Sequence, residues 1–360
     1  VAGTSLVKDM GPANVGAQLF SVVNYMGQLY FAAEDPEAGV ELHRSDGTGD
    51  GTALFEDIRV ETAGADIEYA RVVDGAIYLG ADQGDVGGGA FKTDGTAEGT
   101  VLLADVYPEG SGEPKEFAKM GAQVYFGANS HYMGTYLGFR LWRSDGTPSG
   151  TEIVNQFVGT ERFTRFVPLG NTLYFAGQDT NGMELWSSDG TSGGTTEVKD
   201  INPGGDSDPE DLTELGGKLY FFATSAAGFG LWTSDGTDAG TTEVAAFNDA
   251  RNLTVWNDEL WFVADDGAAG MELWHSDGTA GGTEMFDLVE GAEGSWPGQF
   301  TPLGRELFFS AYNEATGSAL WRTDGTPSGA QMIWQPSTDP EEGGMGRLVA
   351  MGGDLYTTVT

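Results

Sequence analysis

The feature that most constrains this chain is a short motif that recurs from one end of it to the other. In its fullest form it reads Met183-Glu-Leu-Trp-Ser-Ser-Asp-Gly-Thr-Ser-Gly-Gly-Thr195. Similar segments lie at 43–52, 91–100, 141–151, 231–241, 272–283 and 319–330, so that Asp-Gly-Thr begins at Asp46, Asp94, Asp145, Asp189, Asp235, Asp277 and Asp324. The intervals between these aspartates, 42 to 51 residues, are typical of propellers, solenoids and other repeat arrays.

The residue types of the motif predict a tight turn between two strands. Glycine after aspartate adopts positive φ without a Cβ clash, and the aspartate side chain binds backbone amides ahead of it. Leu-Trp before the turn and Val-Lys-Asp-Ile after it are strand-forming sequences. We therefore interpret the seven aspartates as structural turn residues rather than as catalytic groups or ligands.

A second element alternates with the first and predicts another hairpin. It has the form Leu-x-x-Leu-Gly-Gly-x-Leu-Tyr-Phe and occurs at 22–33, 71–81, 117–128, 166–176, 212–223, 253–264, 300–311 and 348–359. Tyr220-Phe-Phe222 is apolar at every position, as expected of a strand in a sheet that is covered on both faces. The sequence therefore predicts an all-β fold, a β-propeller of four-stranded antiparallel blades.

The number of blades follows from counting the repeats. Seven units are complete, and one strand at 4–10 and two strands at 347–359 remain. We favour eight blades, with a terminal blade shared by the two ends of the chain, because unpaired sheet edges promote aggregation. The alternative is seven blades with irregularly packed end strands. Residues 1–360 are expected to form one domain, and because Val1-Ala-Gly-Thr4 resembles the end of another turn, we expect the natural chain to extend upstream.

The charge of the chain limits its partners. It has 55 acidic and 17 basic residues and a net charge of −38, which repels nucleic acids and anionic membrane surfaces. It contains no cysteine, so disulfides and thiol chemistry are excluded. No apolar run approaches the ~20 residues of a membrane span. Nucleic-acid binding and membrane insertion are therefore not expected.

The repeat resembles that of the bacterial ELWxxDGTxxGT proteins. The resemblance is carried by Leu185-Trp-Ser-Ser-Asp-Gly-Thr-Ser-Gly-Gly-Thr195 and the following Ile201-Asn-Pro-Gly-Gly, and similar repeats cover nearly the whole chain. It implies propeller modules of secreted or cell-surface bacterial proteins, hence an extracellular location, and brings no catalytic residues with it. The turn also resembles the structural Asp-box turn of sialidases. Phe91-Lys92 and His43 depart from the pattern, because tryptophan is replaced there.

The sequence favours binding over catalysis. Motifs of metalloproteases, serine hydrolases and phosphate-binding loops are absent, and His43, His131 and His275 lie in different units. We therefore expect a non-catalytic structural or protein-interaction module that acts through its variable loops. A carbohydrate-binding module, lectin-like or an adhesin, and a glycan-active enzyme with a site at the propeller axis are the alternatives.

Two segments are candidate contact sites for a protein partner, a second copy of the chain or a glycan. Five tryptophans share one position of the repeat, which blade packing explains, whereas Trp296 lies in the loop 294–298. The segment 129–140 is longer than its equivalents and adds His131, Tyr132, Met133, Tyr136 and Leu137. Tyrosine and methionine are enriched at protein interfaces. The alternative for 129–140 is a loop that folds over the axial opening or a neighbouring blade.

No cofactor is required by any motif, but one loop could bind calcium. Four carboxylates fall within six residues, at Asp206, Asp208, Glu210 and Asp211. Calcium takes six to eight oxygen ligands, which a turning loop of this composition can supply. The alternative is a solvated acidic loop without an ion.

Overall fold

The computed structural model describes most of the chain. The described residues are 7–8, 19–35, 38–59, 64–67, 69–84, 87–107, 112–132, 135–155, 165–289, 291, 293–313, 317–326, 329–336 and 345–357. The chain divides into two compact units, one of residues 1–173 and 188–195 and the other of residues 174–187 and 196–360. The division falls within the fourth sheet.

The first unit contains three complete four-stranded antiparallel sheets, which we call blades 1 to 3. Their strands, in chain order, are β1 (Leu19–Tyr25), β2 (Gln28–Asp35), β3 (Gly39–Ser45), β4 (Ala53–Glu56), β5 (Tyr69–Val73), β6 (Ala76–Asp82), β7 (Gly88–Thr93), β8 (Val101–Tyr107), β9 (Lys115–Met120), β10 (Gln123–Tyr132), β11 (Thr135–Ser144) and β12 (Thr151–Asn155).

Blade 4 spans the division, and blades 5 to 7 and a C-terminal hairpin belong to the second unit. Their strands are β13 (Val167–Leu169), β14 (Thr172–Asp179), β15 (Gly182–Ser188), β16 (Thr195–Lys199), β17 (Glu210–Leu215), β18 (Lys218–Ser225), β19 (Gly228–Ser234), β20 (Thr242–Ala246), β21 (Asp249–Trp256), β22 (Glu259–Asp265), β23 (Glu272–Ser276), β24 (Thr283–Phe286), β25 (Gly298–Leu303), β26 (Glu306–Asn313), β27 (Gly317–Thr323), β28 (Gln331–Trp334), β29 (Val349–Met351) and β30 (Asp354–Tyr356).

This architecture confirms the prediction of an all-β propeller with four-stranded antiparallel blades. Within the described residues there are seven four-stranded sheets, and the only helical segments are single 3₁₀ turns at Pro148–Gly150 and Ala280–Gly282. No helix in the described part of the chain is long and apolar enough to cross a membrane.

The shared terminal blade stays a prediction. Its C-terminal strands form the two-stranded sheet β29–β30, whereas of residues 4–10 only Val7 and Lys8 are among the described residues. Lys8 Nζ donates a hydrogen bond to the carbonyl of Thr52 in the turn of blade 1. Lys199, which ends β16, donates likewise to Asp238 O in the turn of blade 5, at 3.1 Å. Lys8 thus contacts the turn of blade 1 as Lys199 contacts the turn of blade 5, although at a different position of the turn.

Each Asp-Gly-Thr turn is closed by hydrogen bonds among its own residues. In blade 4, Asp189 Oδ1 accepts from the Thr191 amide at 2.9 Å and from its hydroxyl at 2.7 Å, and Thr191 Oγ1 accepts from Gly194 N at 3.0 Å. These bonds hold the pKa of Asp189 below its usual range. A Cβ on Gly194 would overlap the Asp189 carboxylate. The fixed residues of the motif are thus accounted for by the geometry of the turn.

The same turns also fit the neighbouring blade. Gly190 has φ +85°, and a Cβ there would overlap Tyr125 Oη, which belongs to the second strand of blade 3. Gly236 with Tyr174, and Gly278 with Tyr220, repeat this arrangement in the second unit. The turn glycine is therefore required twice, for its positive φ and for the space that the tyrosine of the preceding blade occupies.

The core of each unit lies between consecutive sheets. In the first unit, Leu42 and Tyr30 of blade 1 pack with Leu79 and Phe91 of blade 2. In the second unit, aromatic and aliphatic side chains of blades 5 and 6 form one cluster and those of blades 6 and 7 another. Both faces of each central strand are thereby covered, which explains why these strands are apolar without alternation.

Candidate functional site

Four of the loops that enter the first strand of a blade share one backbone arrangement. In three of them a buried residue, Ala65, Ser207 or Ser295, donates its amide to the preceding hairpin, to Val40 O, Met183 O or Met271 O, at 2.8 to 2.9 Å. The next residue is exposed and left-handed, and the one after it is buried. The left-handed residues and their φ values are Asp66 (45°), Glu113 (44°), Asp208 (45°) and Trp296 (48°). Each loop thus presents one side chain to solvent at an equivalent point.

In two of these loops a buried glutamate of the preceding blade accepts hydrogen bonds from the loop. Glu184 Oε2 accepts from Ile201 N at 2.7 Å and from Ser207 Oγ at 2.6 Å. Glu272 Oε2 accepts in the same way from Leu288 N at 3.1 Å and from Ser295 Oγ at 2.6 Å. Burial raises the pKa of both carboxyls, although the serine hydroxyls oppose this rise. The loop backbones at 207–209 and 295–297 are therefore held by equivalent buried bonds.

Blade 1 has the glutamate without the serine. Glu41 accepts from Ile58 N at 2.8 Å and from Arg59 N at 3.2 Å, and Ala65 stands where the other loops have serine. Burial raises the pKa of Glu41 to about 7. The carboxyl that lacks a serine partner therefore titrates near neutral pH.

Trp296 is the exception among the four left-handed positions. Its side chain is 51% exposed, and its indole Nε1–H donates to Glu293 O at 3.0 Å. The guanidinium carbon of Arg251 lies 5.0 Å from the ring centroid. The ring is therefore held at one edge and stacked on one face while half of its surface meets solvent. The sequence singled out this residue, and the structure places it on an entry loop, next to β25.

Polar residues line the first strands at one repeated position, four residues before the strand ends. We call this set the first-strand polar layer; it comprises Ser21, Tyr69, Glu116 and Arg165 in the first unit and Asp211, Asn252, Gln299 and Arg347 in the second. Five of them have left-handed backbones: Ser21, Glu116, Asp211, Asn252 and Gln299. Where that occurs the strand pairing is shifted by a β-bulge, a feature that re-aims side chains.

Members of the layer reach the first strand of the next blade. Tyr69 Oη and Glu116 Oε2 lie 3.5 Å apart, and Asp211 Oδ2 accepts from Leu253 N at 3.2 Å. Burial raises the pKa of Tyr69 to about 12 and raises that of Glu116, although Arg71 and Arg165 oppose the latter. The bonds along the layer thus join consecutive blades within each unit.

Four polar side chains of this region were not identified from the sequence: Arg251, which contacts Trp296, and Asn252, Gln299 and Tyr312, which lie on β21, β25 and β26. Arg251, Asn252 and Gln299 are exposed, and Tyr312 is 41% exposed. Tyr312 N donates to Ser295 O at 2.7 Å, and a Cβ on Gly298 would lie 3.7 Å from Asn252 Nδ2. An alignment of the repeats on their first strands reveals the polar position that Asn252 and Gln299 share. No local sequence signal, however, relates Arg251 to Trp296, which lies 45 positions later.

The segment 129–140 forms a longer hairpin rather than an extended loop. Strands β10 and β11 have ten residues each and remain paired as far as Tyr132 and Thr135. Met133 lies outside the described residues, as do the side chains of His131, Tyr132, Tyr136 and Leu137. The interface prediction for this segment therefore stays a prediction.

Two of the four carboxylates of the calcium hypothesis have partners in different blades. Asp206 Oδ1 accepts from Met183 N at 2.9 Å, whereas Asp211 contacts Leu253 of the next blade. Asp206, Asp179 and Asp200 line a shallow cavity of about 390 Å³. Nowhere in the described ranges do three or more acidic or histidine side chains form a group that could hold a metal ion. Calcium binding at Asp206, Asp208, Glu210 and Asp211 stays a hypothesis, which the melting temperature with calcium and with chelator would test.

Two histidines pack against aromatic rings in the blades. His43 is buried, stacks on Phe31 and lies 3.0 Å from the carbonyl of Glu41. His275 stacks on Trp261 and has Glu259 at 3.3 Å. Both histidines therefore lie in the third strand of a blade and pack on an aromatic ring of its second strand.

The comparisons with known proteins bear on the fold alone. No family model and no curated protein matches the sequence. The structure is similar to the computationally designed protein Ika8 over 98% of this chain and 99% of that one, with a TM-score of 0.58 and 13% identity.

Peptidase structures are also similar over most of this chain. A puromycin hydrolase matches 96% of it with a TM-score of 0.57 and 17% identity. Oligopeptidase B from Leishmania major matches 95% of it with a TM-score of 0.53 and 12% identity. The chain spans 58% of the hydrolase and 52% of the oligopeptidase, where it aligns with propeller domains. At identities this low, the likeness shows that the chain has the β-propeller fold.

Proposed function

We propose that this protein is a non-catalytic binding propeller that recognises a protein partner, or a second copy of itself, through its variable loops. These are the entry loops before the first strands and the hairpins between second and third strands. The proposal also places the protein outside the cytoplasm, on the resemblance of its repeat to secreted and cell-surface proteins. The acidic surface suits such a soluble setting, where salt screens its self-repulsion.

The observation that carries the proposal is the exposed Trp296 at a strained backbone position. Left-handed backbone costs a bulky L-residue about 1 kcal/mol or more, and the equivalent positions hold Asp66, Glu113 and Asp208. Half of the indole meets solvent, so burial recovers only part of that cost. A side chain that folding does not require is best explained by recognition.

The test is self-association of the full chain, measured by sedimentation velocity between micromolar and near-millimolar concentration, with and without extracellular proteins of the producing bacterium. Replacing Tyr132, Met133 and Tyr136 together by serine should weaken association at least tenfold while leaving the melting temperature nearly unchanged. Met26, 84% exposed in the turn between β1 and β2, provides the control, and Met26→Ser should change nothing. Equal effects of both variants, or a chain that stays monomeric and unbound throughout, would contradict the proposal.

A further inference from the structure

Arg251 contacts the apolar ring of Trp296, and polar side chains that make no hydrogen bond among the described residues lie on the adjoining strands β21, β25 and β26. Arg251 stacks on the indole but forms no ion pair and no side-chain hydrogen bond among the described residues. The side-chain amides of Asn252 and Gln299 and the hydroxyl of Tyr312 likewise make no hydrogen bond within the described ranges.

The indole itself offers only an apolar surface to a ligand. Its single donor, Nε1–H, is already bonded to Glu293 O, and one face is covered by Arg251. What remains is an aromatic face in a fixed orientation, since the backbone at Trp296 is tied to Met271 O at 3.0 Å. A rigid aromatic face loses little conformational entropy when a ligand stacks on it.

These features together point to one chemical class of ligand. We infer that Trp296, with Arg251, Asn252, Gln299 and Tyr312, forms a binding site for a neutral saccharide. A pyranose ring has an apolar C–H face, which stacks on an indole, and hydroxyls at its edge, which accept from amides and a guanidinium. This inference rests on the proposed binding function and departs from it at this one loop, to which it assigns a saccharide in place of a protein.

Two other occupants fit the site less well. A protein hot spot is surrounded by contacts that exclude water from an apolar centre, whereas Trp296 contacts the exposed Arg251 and is bonded to the backbone of the exposed Glu293. An acidic polysaccharide would be repelled by the net charge of −38. A neutral sugar meets neither obstacle.

The experiment measures binding of the full chain to soluble neutral oligosaccharides by isothermal titration calorimetry. The probes are cellohexaose, maltohexaose, chitohexaose and mannohexaose, and the acidic comparison is an oligogalacturonate. At least one neutral probe should bind, and Trp296→Asp should weaken that binding at least tenfold. Aspartate is the residue that this chain itself has at the equivalent positions 66 and 208, so the variant should fold. Arg251→Gln should weaken binding several-fold.

Met332→Ser is the matched control, because Met332 is 43% exposed on the fourth strand of blade 7; its binding should equal that of the wild type. Failure of every neutral probe, binding of the oligogalacturonate alone, or unchanged binding by Trp296→Asp would overturn the inference. Self-association that Trp296→Asp abolishes, in the absence of sugar binding, would overturn it as well while supporting the protein-binding function.

Discussion

The entry loops 205–209 and 294–298 have the same backbone framework and different exposed side chains. In both, a buried serine bonds to a buried glutamate at 2.6 Å and to the preceding hairpin, and a buried proline follows the left-handed residue. That residue is Asp208 in one loop and Trp296 in the other. Buried bonds therefore specify the backbone of both loops and leave the exposed position free to hold side chains as different as aspartate and tryptophan.

The largest effect should come from removing the shared anchor. Glu184→Ala and Glu272→Ala each leave a backbone amide without an acceptor and remove the 2.6 Å bond of a buried serine hydroxyl. Ser207 Oγ keeps its bond to the carbonyl of Met183, at 3.0 Å. Each substitution should lower the free energy of unfolding by about 3 kcal/mol. Chemical denaturation of both variants checks the value. If the loops are equivalent, the two losses should agree within about 1 kcal/mol; a small loss for one of them would show that its glutamate is not an anchor.

A second effect is a pH dependence of stability that arises from Glu41 of blade 1, whose entry loop has Ala65 in place of the serine. The pKa of Glu41 in the folded state, about 7, lies above its ordinary value of 4.5. The folded protein therefore holds this proton more tightly, and the free energy of unfolding should fall as pH rises from about 4.5 to about 7. In Glu41→Gln this contribution should disappear, a difference on the order of 2 kcal/mol across that interval.

Denaturation curves of wild type and Glu41→Gln at several pH values provide the measurement. Ala65→Ser offers a sharper comparison, because its hydroxyl can donate to Glu41 as Ser207 and Ser295 donate to Glu184 and Glu272. This bond should lower the pKa of Glu41 and shift the pH-dependent interval to lower pH. Parallel curves for wild type and Glu41→Gln would be inconsistent with a raised pKa at Glu41.

Exchanging the exposed residues of the two loops should have a smaller effect, of opposite sign in each. Trp296→Asp relieves the left-handed strain of a bulky side chain and should leave stability unchanged or raise it by up to about 1 kcal/mol. Asp208→Trp should lower it by a similar amount. Melting temperatures of the two variants test this; a large loss in Trp296→Asp would mean that the indole serves packing after all.

The smallest effect should come from the stacked guanidinium. Arg251→Gln removes an exposed cation–π contact, which contributes about 0.5 to 1 kcal/mol. The same substitution made in Trp296→Ser should cost nothing, because the ring is absent and serine offers the guanidinium no carboxylate. Equal costs in both backgrounds, in a double-mutant cycle, would show that the contact with Trp296 contributes no stability.

The fold could be predicted because its signals are local. The bonds that close each turn join residues at most seven positions apart, as between Ser188 and Thr195. Such a turn is specified wherever its few residues occur, and its repetition identifies the propeller. The long hairpin of blade 3 was missed as a hairpin because 129–140 has no tight-turn sequence of that kind.

The sequence alone determined the repeat, the turns, the four-stranded blades and the exceptional position of Trp296. Only the tertiary structure decided which side chains surround that residue, since Arg251 meets Trp296 through packing of β21 beside β25, in consecutive blades. It likewise decided that Glu184 and Glu272 are buried anchors, because each reaches a serine 23 residues further along the chain. Contacts of that kind depend on how neighbouring sheets pack, and a window of adjacent residues does not contain this information.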